Sequence, residues 1–315
     1  MKDKLLSVVV PCFNEQEVLP ATHARLVAAM DGMEYPWELV YVDDGSTDGT
    51  WDVLCRLQQQ EPRAKLLRFS RNFGHQMAVS AGLDFASGDA VVLIDADLQD
   101  PPEIIPEMVK RWEDGYQVAY GQRMQREGET LFKTWTAHLF YRLIRHFSST
   151  DIPLDSGDFR LMAREVVEAA RQMREYDRFL RGMVGWLGFR QVAVPYRRAE
   201  RAAGQTKYPL VKMVIFAVDA ILSFSLVPLR LATLLGFVSA AIALAGILYA
   251  LCIRLFAGNW VSGWASLFVV ALFIGGVQLI CLGIMGEYVG RIYREVKRRP
   301  LYVLADQRGL PTPRP

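Results

Sequence analysis

Short apolar runs and longer amphipathic stretches alternate through the opening half of the chain. Leu5–Val10, Trp37–Val42, Lys65–Phe69 and Ala90–Ile94 are rich in β-branched and other apolar residues and are bounded by turn formers, which predicts strands. Between them, Glu17–Met30, Trp51–Gln60 and His75–Ala86 read as helices. This alternation predicts an α/β domain with a mostly parallel sheet and helices on both faces. Such sheets bind ligands beyond the carboxyl ends of their strands. Three polar clusters fall at those ends: Pro11–Glu15, Asp43–Thr50 and Asp95–Asp100.

The pattern changes toward the C-terminus. Thr130–Phe147 places apolar residues at helical spacing with Lys133, Arg142, Arg145 and His146 on other faces. A core-facing amphipathic helix and a basic helix lying on a bilayer both fit it. Tyr208–Leu226 is more apolar, with only Lys212 and Asp219 charged, and Pro228 breaks it; it is read as interfacial. Leu231–Ile253 and Val261–Met285 are free of charge over about the 20 residues a helix needs to cross a bilayer. The link Ala257–Gly263 holds Gly, Asn and Trp, as a hairpin at a membrane surface would. The expected organisation is a catalytic domain over 1–205, interfacial helices over 206–228, two transmembrane helices over 229–287 and a basic tail over 288–315.

Charge refines this picture. The net charge is +2, so nothing global points to nucleic acid. Arg197, Arg198, Arg201, Lys207 and Lys212 precede the apolar block, and Arg291, Arg294, Lys297, Arg298 and Arg299 follow it. Basic flanks outside a helical pair put both chain ends on the cytoplasmic side of the inner membrane. Cys12, Cys55, Cys252 and Cys281 show no zinc or redox spacing and are expected to be buried, small apolar residues in a reducing compartment. The N-terminal apolar run ends at Pro11, too short for a signal-peptide core, and is expected to be the first strand of a cytoplasmic domain.

The clusters at the strand ends carry the chemistry. Asp95 and Asp97 follow a strand, and side chains two apart in an extended segment face one side. Gln99 keeps the same parity. Two carboxylates and an amide oxygen suit Mg2+ or Mn2+, which would neutralise a diphosphate leaving group. A solvated loop or a helix cap is the plainer reading of such a pair, since Asp100-Pro101-Pro102-Glu103 opens a helix directly afterwards; the strand context favours the metal. In the second cluster Asp48 is a helix-cap candidate, which leaves Asp43 or Asp44 to accept from a base edge or ribose. In the first, Phe13 suits stacking on a base and Glu15 suits ribose hydroxyls.

Taken together, VVVPCFNE, VDDGSTDGT, RNFGHQ, DADLQDPPE, SGDFRLM and AGQTKYPLVKM resemble the motifs of the polyprenyl-phosphate glycosyltransferases of glycosyltransferase family 2. They occur in that family's order and span nearly the whole chain, and the two-helix tail looks most like the bacterial undecaprenyl-phosphate glucosyltransferases. The resemblance implies a GT-A fold and inverting transfer of a hexose, UDP-glucose being the first choice of donor, to undecaprenyl phosphate for cell-envelope glycosylation. It implies that Pro11, Phe13, Glu15 and Asp44 hold the nucleoside and that Asp95, Asp97 and Gln99 hold the metal and diphosphate. Asp158 matches an acidic residue near the attacking acceptor, with a structural pairing to Arg160 as the alternative. Arg123, Arg198, Arg201 and Lys207 match phosphate-binding positions, Arg123 on the donor side and the others on the acceptor side. Arginine grips phosphate bidentately and lysine acts as a point charge. Gln205-Thr206 departs from the Ser that often precedes the lysine in that family.

A processive polysaccharide synthase is the rival on the same fold. Arg111-Trp112 has Met108 where the Gln of a Gln-X-X-Arg-Trp motif belongs, and two helices do not readily form a polymer channel. The sequence does not choose between glucose, aminoarabinose and mannose donors. The sequence does not fix the oligomeric state, though the Gly275-Gly276, Gly283 and Gly286 positions permit the close helix packing that a homo-oligomer would use.

Overall fold

The computed structural model describes residues 4–124, 156–197, 227–257 and 263–310. The chain divides into two compact units, one comprising Met1–Arg145, Thr150–Tyr208 and Arg299–Pro315, the other His146–Ser149 and Pro209–Arg298.

The first unit is built on an eight-stranded sheet. Its strands are β1 (Leu6–Cys12), β2 (Trp37–Asp43), β3 (Ala64–Phe69), β4 (Ala90–Leu93), β5 (Val118–Arg123), β6 (Ser156–Ala163), β7 (Gln191–Tyr196) and β8 (Leu304–Arg308). The described helices are α1 (Leu19–Asp31), α2 (Thr50–Gln60), α3 (His75–Phe85), α4 (Ile105–Glu113), α5 (Arg164–Gln172) and α6 (Leu180–Trp186). The order is β7-β5-β6-β4-β1-β2-β3-β8, and β3, β2, β1 and β4 run parallel. The order reverses between β1 and β4, which opens a crevice at their carboxyl ends. β6 is antiparallel to β4, with Leu93 opposite Arg160. Continuing that register brings Asp158 level with Asp95.

Alternation along the strands sends side chains to two cores. Val8, Val10, Leu39 and Tyr41 pack with Leu26, Leu54 and Met108 from α1, α2 and α4. Val9, Val40 and Val42 pack with Val79, Val167 and Leu180 from α3, α5 and α6. The α3 helix lies so close to β1 that a Cβ on Gly82 would stand 2.1 Å from Val9 Cγ1. Both faces of the central strands are therefore dry, and this explains why they read as continuous apolar runs.

The expected C-terminal tail contains a strand. β8 pairs antiparallel with the edge strand β3, Tyr302 stacks on Phe69, and Tyr302 Oη donates to Asp84 Oδ2 at 2.9 Å.

The second unit holds α7 (Val227–Ala257) and α8 (Trp264–Val296). Each contains an apolar stretch long enough to cross a membrane, Leu229–Tyr249 and Val269–Val296, with a mean hydropathy of 2.3 in both. Only 6% and 0% of those stretches is buried, whereas a core helix of a water-soluble protein would be mostly covered. Phe237, Leu244, Leu272 and Leu279 are all exposed, an apolar surface of the kind that marks a membrane or protein contact. The second helix runs past the expected end at Met285 to Val296. The expectation that all four cysteines are buried fails: Cys12 is buried, Cys55 and Cys281 are partly so, and Cys252 is exposed. Residues 130–147 and 208–226, and most of the 257–263 link, lie outside the described residues.

Candidate active site

A cleft of about 290 Å3 opens at the carboxyl ends of the parallel strands, lined among others by Pro11, Phe13, Glu15, Asp44, Asp95 and Asp97. One wall is made by two loops laced together. Asn14 N–H donates to Ser46 Oγ at 3.0 Å, and Thr47 N–H donates to Asn14 Oδ1 at 2.9 Å. Glu15 N–H donates to Thr50 Oγ1 at 2.8 Å, and Gly49 N–H donates to Gln16 Oε1 at 2.8 Å. Asp48 is not the N-cap expected of it, since Gly49 holds that position without a side-chain cap, but from one residue earlier it accepts the Thr50 N–H at 3.0 Å and so satisfies a first-turn amide of α2. Gly45 turns this loop at φ +68°, and a Cβ there would stand 2.3 Å from the Arg71 carbonyl carbon.

Asp44 is not left free. Its carboxylate accepts Phe73 N–H at 2.7 Å and Gly74 N–H at 3.0 Å, so it pins the loop from β3 into α3. Burial raises its pKa, and the two amides oppose that. Asp43 accepts Ser46 N–H at 3.0 Å. Its buried Oδ2 makes no hydrogen bond and lies 3.5 Å from Arg68 Nε.

The opposite wall begins where β4 ends. The expected extended run through Asp95, Asp97 and Gln99 is absent, because the strand stops at Leu93 and Leu98 takes a left-handed φ of 59°. A turn, and not strand parity, brings Asp95 and Asp97 to the cleft. Gln99 N–H donates to Asp97 Oδ1 at 3.1 Å. Asp95 Oδ1 is buried without a hydrogen-bond partner, with His75 Nε2 at 3.8 Å. Burial, followed by the charges of Asp158, Asp100 and Asp97, pushes the Asp95 carboxyl up to about 6 against the pull of His75. Among the described residues no three His, Cys, Asp or Glu side chains gather into a metal cage. The orphaned Asp95 oxygen and the excess negative charge fit a cation shared with a ligand, since hard divalent ions retain water and substrate oxygens when only one or two carboxylates hold them.

Asp158, on β6, is held from both sides. Its Oδ2 accepts His75 Nε2 at 3.3 Å and Gln76 Nε2 at 3.1 Å, and its Oδ1 accepts Arg181 Nη2 at 3.4 Å. Burial disfavours its charge, but the His75 hydrogen bond and the Arg181, Arg160 and His75 charges outweigh this and hold the carboxyl well below the usual range. The alternative reading, a pairing with Arg160, is not made as a hydrogen bond: Arg160 Nη2 donates to the Gly157 carbonyl at 3.0 Å, and its charge acts on Asp158 through space.

Arg123, at the end of β5, donates from Nε to Tyr196 Oη at 3.2 Å and lies 3.7 Å from Asp100. Tyr196 Oη donates to Asp100. Asp100 is therefore not the helix cap that its sequence position suggested, and the turn at Pro102–Ile104 has no side-chain cap. Arg198, Arg201 and Lys207 lie outside the described residues.

Residues 7–170 match the sequence model of Glycosyl transferase family 2. The chain belongs to glycosyl transferase family 2. A relative in Bacillus subtilis strain 168, the uncharacterized glycosyltransferase YkcC, is 47% identical over 96% of this chain and 94% of its own length. The SfII prophage-derived bactoprenol glucosyl transferase of Shigella flexneri is 42% identical over 97% of this chain and 99% of its own. The mostly parallel sheet, with its cleft at the strand ends, is a GT-A fold.

Of the residues singled out from sequence in this glycosyltransferase, Pro11, Phe13, Glu15, Asp44, Asp95 and Asp97 line one cleft. Asp158 reaches it through His75, which stands between the Asp95 and Asp158 carboxylates. Sequence reasoning gave no role to His75, Gln76 or Arg181. The first two lie in the quoted RNFGHQ motif, which was the available signal; Arg181 had none.

Proposed function

We propose that this glycosyltransferase moves a hexose from a nucleotide-sugar, UDP-glucose first among the candidates, to a polyprenyl phosphate of the undecaprenyl type, with inversion at the anomeric carbon. The observation that carries this reading is the 42% identity, end to end, with a bactoprenol glucosyl transferase. The site chemistry supports it. Phe13, 44% exposed, offers a ring to the base, and Glu15 and Asp44 line the same cleft. Asp95 and Asp97, with Gln99 following, would hold Mg2+ or Mn2+. When bound, such an ion offsets the charge of the diphosphate leaving group.

In the reaction a lipid-phosphate oxygen bonds to the anomeric carbon as the bond from that carbon to the donor diphosphate breaks. The attacking phosphate, with a second pKa of about 6, is already ionised near neutral pH, so no proton must be removed. Asp158, kept ionised by its cationic neighbours, orients the acceptor and does not deprotonate it. Arg123 serves the donor phosphates, and Arg198, Arg201 and Lys207 receive the acceptor phosphate.

Two membrane-crossing helices bring the chain to its lipid substrate. The pairing of β8, after the helices, with β3, before them, supports an even number of crossings. Together with the basic flanks it favours a cytoplasmic catalytic domain in the inner membrane, with both termini on that side. A panel of labelled UDP-glucose, UDP-aminoarabinose derivative and GDP-mannose, each offered with undecaprenyl phosphate, tests the reading. UDP-glucose should give the highest kcat/KM; a preference for GDP-mannose would replace the donor assignment.

A further inference from the structure

Gln76 and Arg181 belong to no motif role given above, yet they meet at Asp158. The Gln76 side chain makes two long-range hydrogen bonds. Its Nε2 donates to Asp158 Oδ2 at 3.1 Å, and its Oε1 accepts Leu180 N–H at 3.0 Å. Leu180 opens α6, whose N-cap residue, Phe179, supplies no side-chain cap. An unpaired first-turn amide of a helix needs an acceptor, and Gln76 brings one from a different helix. The next residue of α6, Arg181, returns to Asp158 Oδ1 at 3.4 Å. The hydrogen bonds close a ring through α3, β6 and α6.

The ring constrains chemistry as well as geometry. Leu180 N–H is a donor by its nature, so the Gln76 amide must turn its oxygen to it and its NH2 to Asp158. Neither Glu nor Leu at position 76 can do both jobs. Asp158 receives donors on both oxygens, which fixes rotation of the carboxylate about its Cβ–Cγ bond. Arg181 is largely buried, with its side chain 23% exposed, and its Nε makes no hydrogen bond. It therefore lies against Asp158 as a partly buried cation within ion-pair distance of the carboxylate.

We infer that Gln76 and Arg181 are positioning residues: acting through Asp158, they set the carboxylate that orients the attacking lipid phosphate, and they serve the transfer step without binding the donor. This inference rests on the reading of Asp158 as an acceptor-side residue. Misplacing a reacting group by about 1 Å can cost on the order of 100-fold in rate.

The test uses the full chain in detergent with UDP-glucose, undecaprenyl phosphate and Mn2+. Gln76→Glu, Gln76→Leu, Arg181→Lys, Arg181→Gln and Asp158→Asn are compared for kcat, for UDP affinity by calorimetry and for thermal unfolding. Gln76→Glu keeps the acceptor for Leu180 N–H and sets a like charge against Asp158. It should lower kcat at least tenfold, toward the roughly 100-fold that a misplacement of about 1 Å can cost, while UDP affinity stays within about twofold. Arg181→Lys should recover part of the activity that Arg181→Gln lacks. If Asp158→Asn is inactive while every folded position-76 and position-181 variant turns over within twofold of the parent, the inference is overturned and the reading of Asp158 stands. If Asp158→Asn itself keeps parental turnover, it is the Asp158 reading that fails. A fall in UDP affinity in parallel with kcat would reduce both residues to general packing and would also overturn the inference. Should Gln76→Glu fail to fold, the Arg181 pair decides by the same criteria.

Discussion

Tyr302 lies parallel to Phe69, their ring centroids 5.1 Å apart and their planes within 11°. The stack fastens the segment that follows the second apolar helix to the edge strand of the catalytic sheet, and the loop that leads through Gly74 to His75, the first residue of α3, begins just beyond Phe69. Tyr302→Ala should destabilise the sheet-bearing unit by about 2 kcal/mol, because it removes a partly buried ring and leaves Phe69 without its stacking partner. Tyr302→Phe removes only the hydroxyl bonded to Asp84 and should cost about 1 kcal/mol. Denaturant unfolding of both variants checks the order; equal stability of all three proteins would show that the segment is not part of the cooperative unit.

The β3–β8 ladder also bears on topology. Strands on either side of the helical pair hydrogen-bond in one sheet, so a reporter between residues 258 and 263 should read on the far side of the membrane from one placed after Arg308. Both reporters on one side would rule out two crossings.

Asp95 links stability to function with opposite signs. Its pKa of about 6 lies above the ordinary 3.8. Between those values the folded protein holds a proton that the unfolded chain has released, so stability falls as pH rises from about 4 to about 6 and the deficit is complete above 6. Asp95→Asn cannot ionise. In chelator it should unfold at a higher temperature than the parent at pH 7, with the difference vanishing near pH 4, and it should lose turnover. An unchanged or lower Tm at pH 7 would contradict the electrostatic picture of the site.

The strands of the parallel core were legible in sequence because both their faces are dry and their runs are apolar. Other parts were not, for physical reasons. β8 reads Leu-Ala-Asp-Gln-Arg, with little apolar signal, and exists because β3 offers an open edge. Asp95 and Asp97 were paired by the right outcome for a wrong reason, since the left-handed Leu98 makes a turn where an extended run was expected. Asp43 or Asp44 was expected to be free, but Asp43 accepts from Ser46, and Asp44 has partners at Phe73 and Gly74, 29 and 30 positions away. The setting of Asp158 depends on hydrogen bonds to residues 82 and 23 positions distant in sequence, and no local pattern carries that information.

Donor and acceptor chemistry should separate by mutation. Asp44→Ala releases the loop pinned at Phe73 and Gly74 and should weaken UDP binding. Arg201→Ala and Lys207→Ala should leave UDP binding nearly intact and raise the KM for polyprenyl phosphate, by about 1.5–3 kcal/mol for each charge-assisted hydrogen bond removed. Calorimetry beside acceptor kinetics distinguishes them. If Arg201→Ala abolished UDP binding while sparing the acceptor KM, the basic cluster would belong to the donor.

The most direct measurement is transfer of label from UDP-glucose into the organic phase by the purified full chain, with undecaprenyl phosphate and Mn2+ or Mg2+, in the presence and absence of excess EDTA. Labelled lipid should form with either cation, disappear in EDTA, return on adding cation back, and fail to appear with Asp97→Asn. Labelled lipid formed at the same rate in EDTA, or none formed from any nucleotide-sugar offered, would contradict a metal-assisted glycosyl transfer to lipid phosphate at the Asp95–Gln99 site.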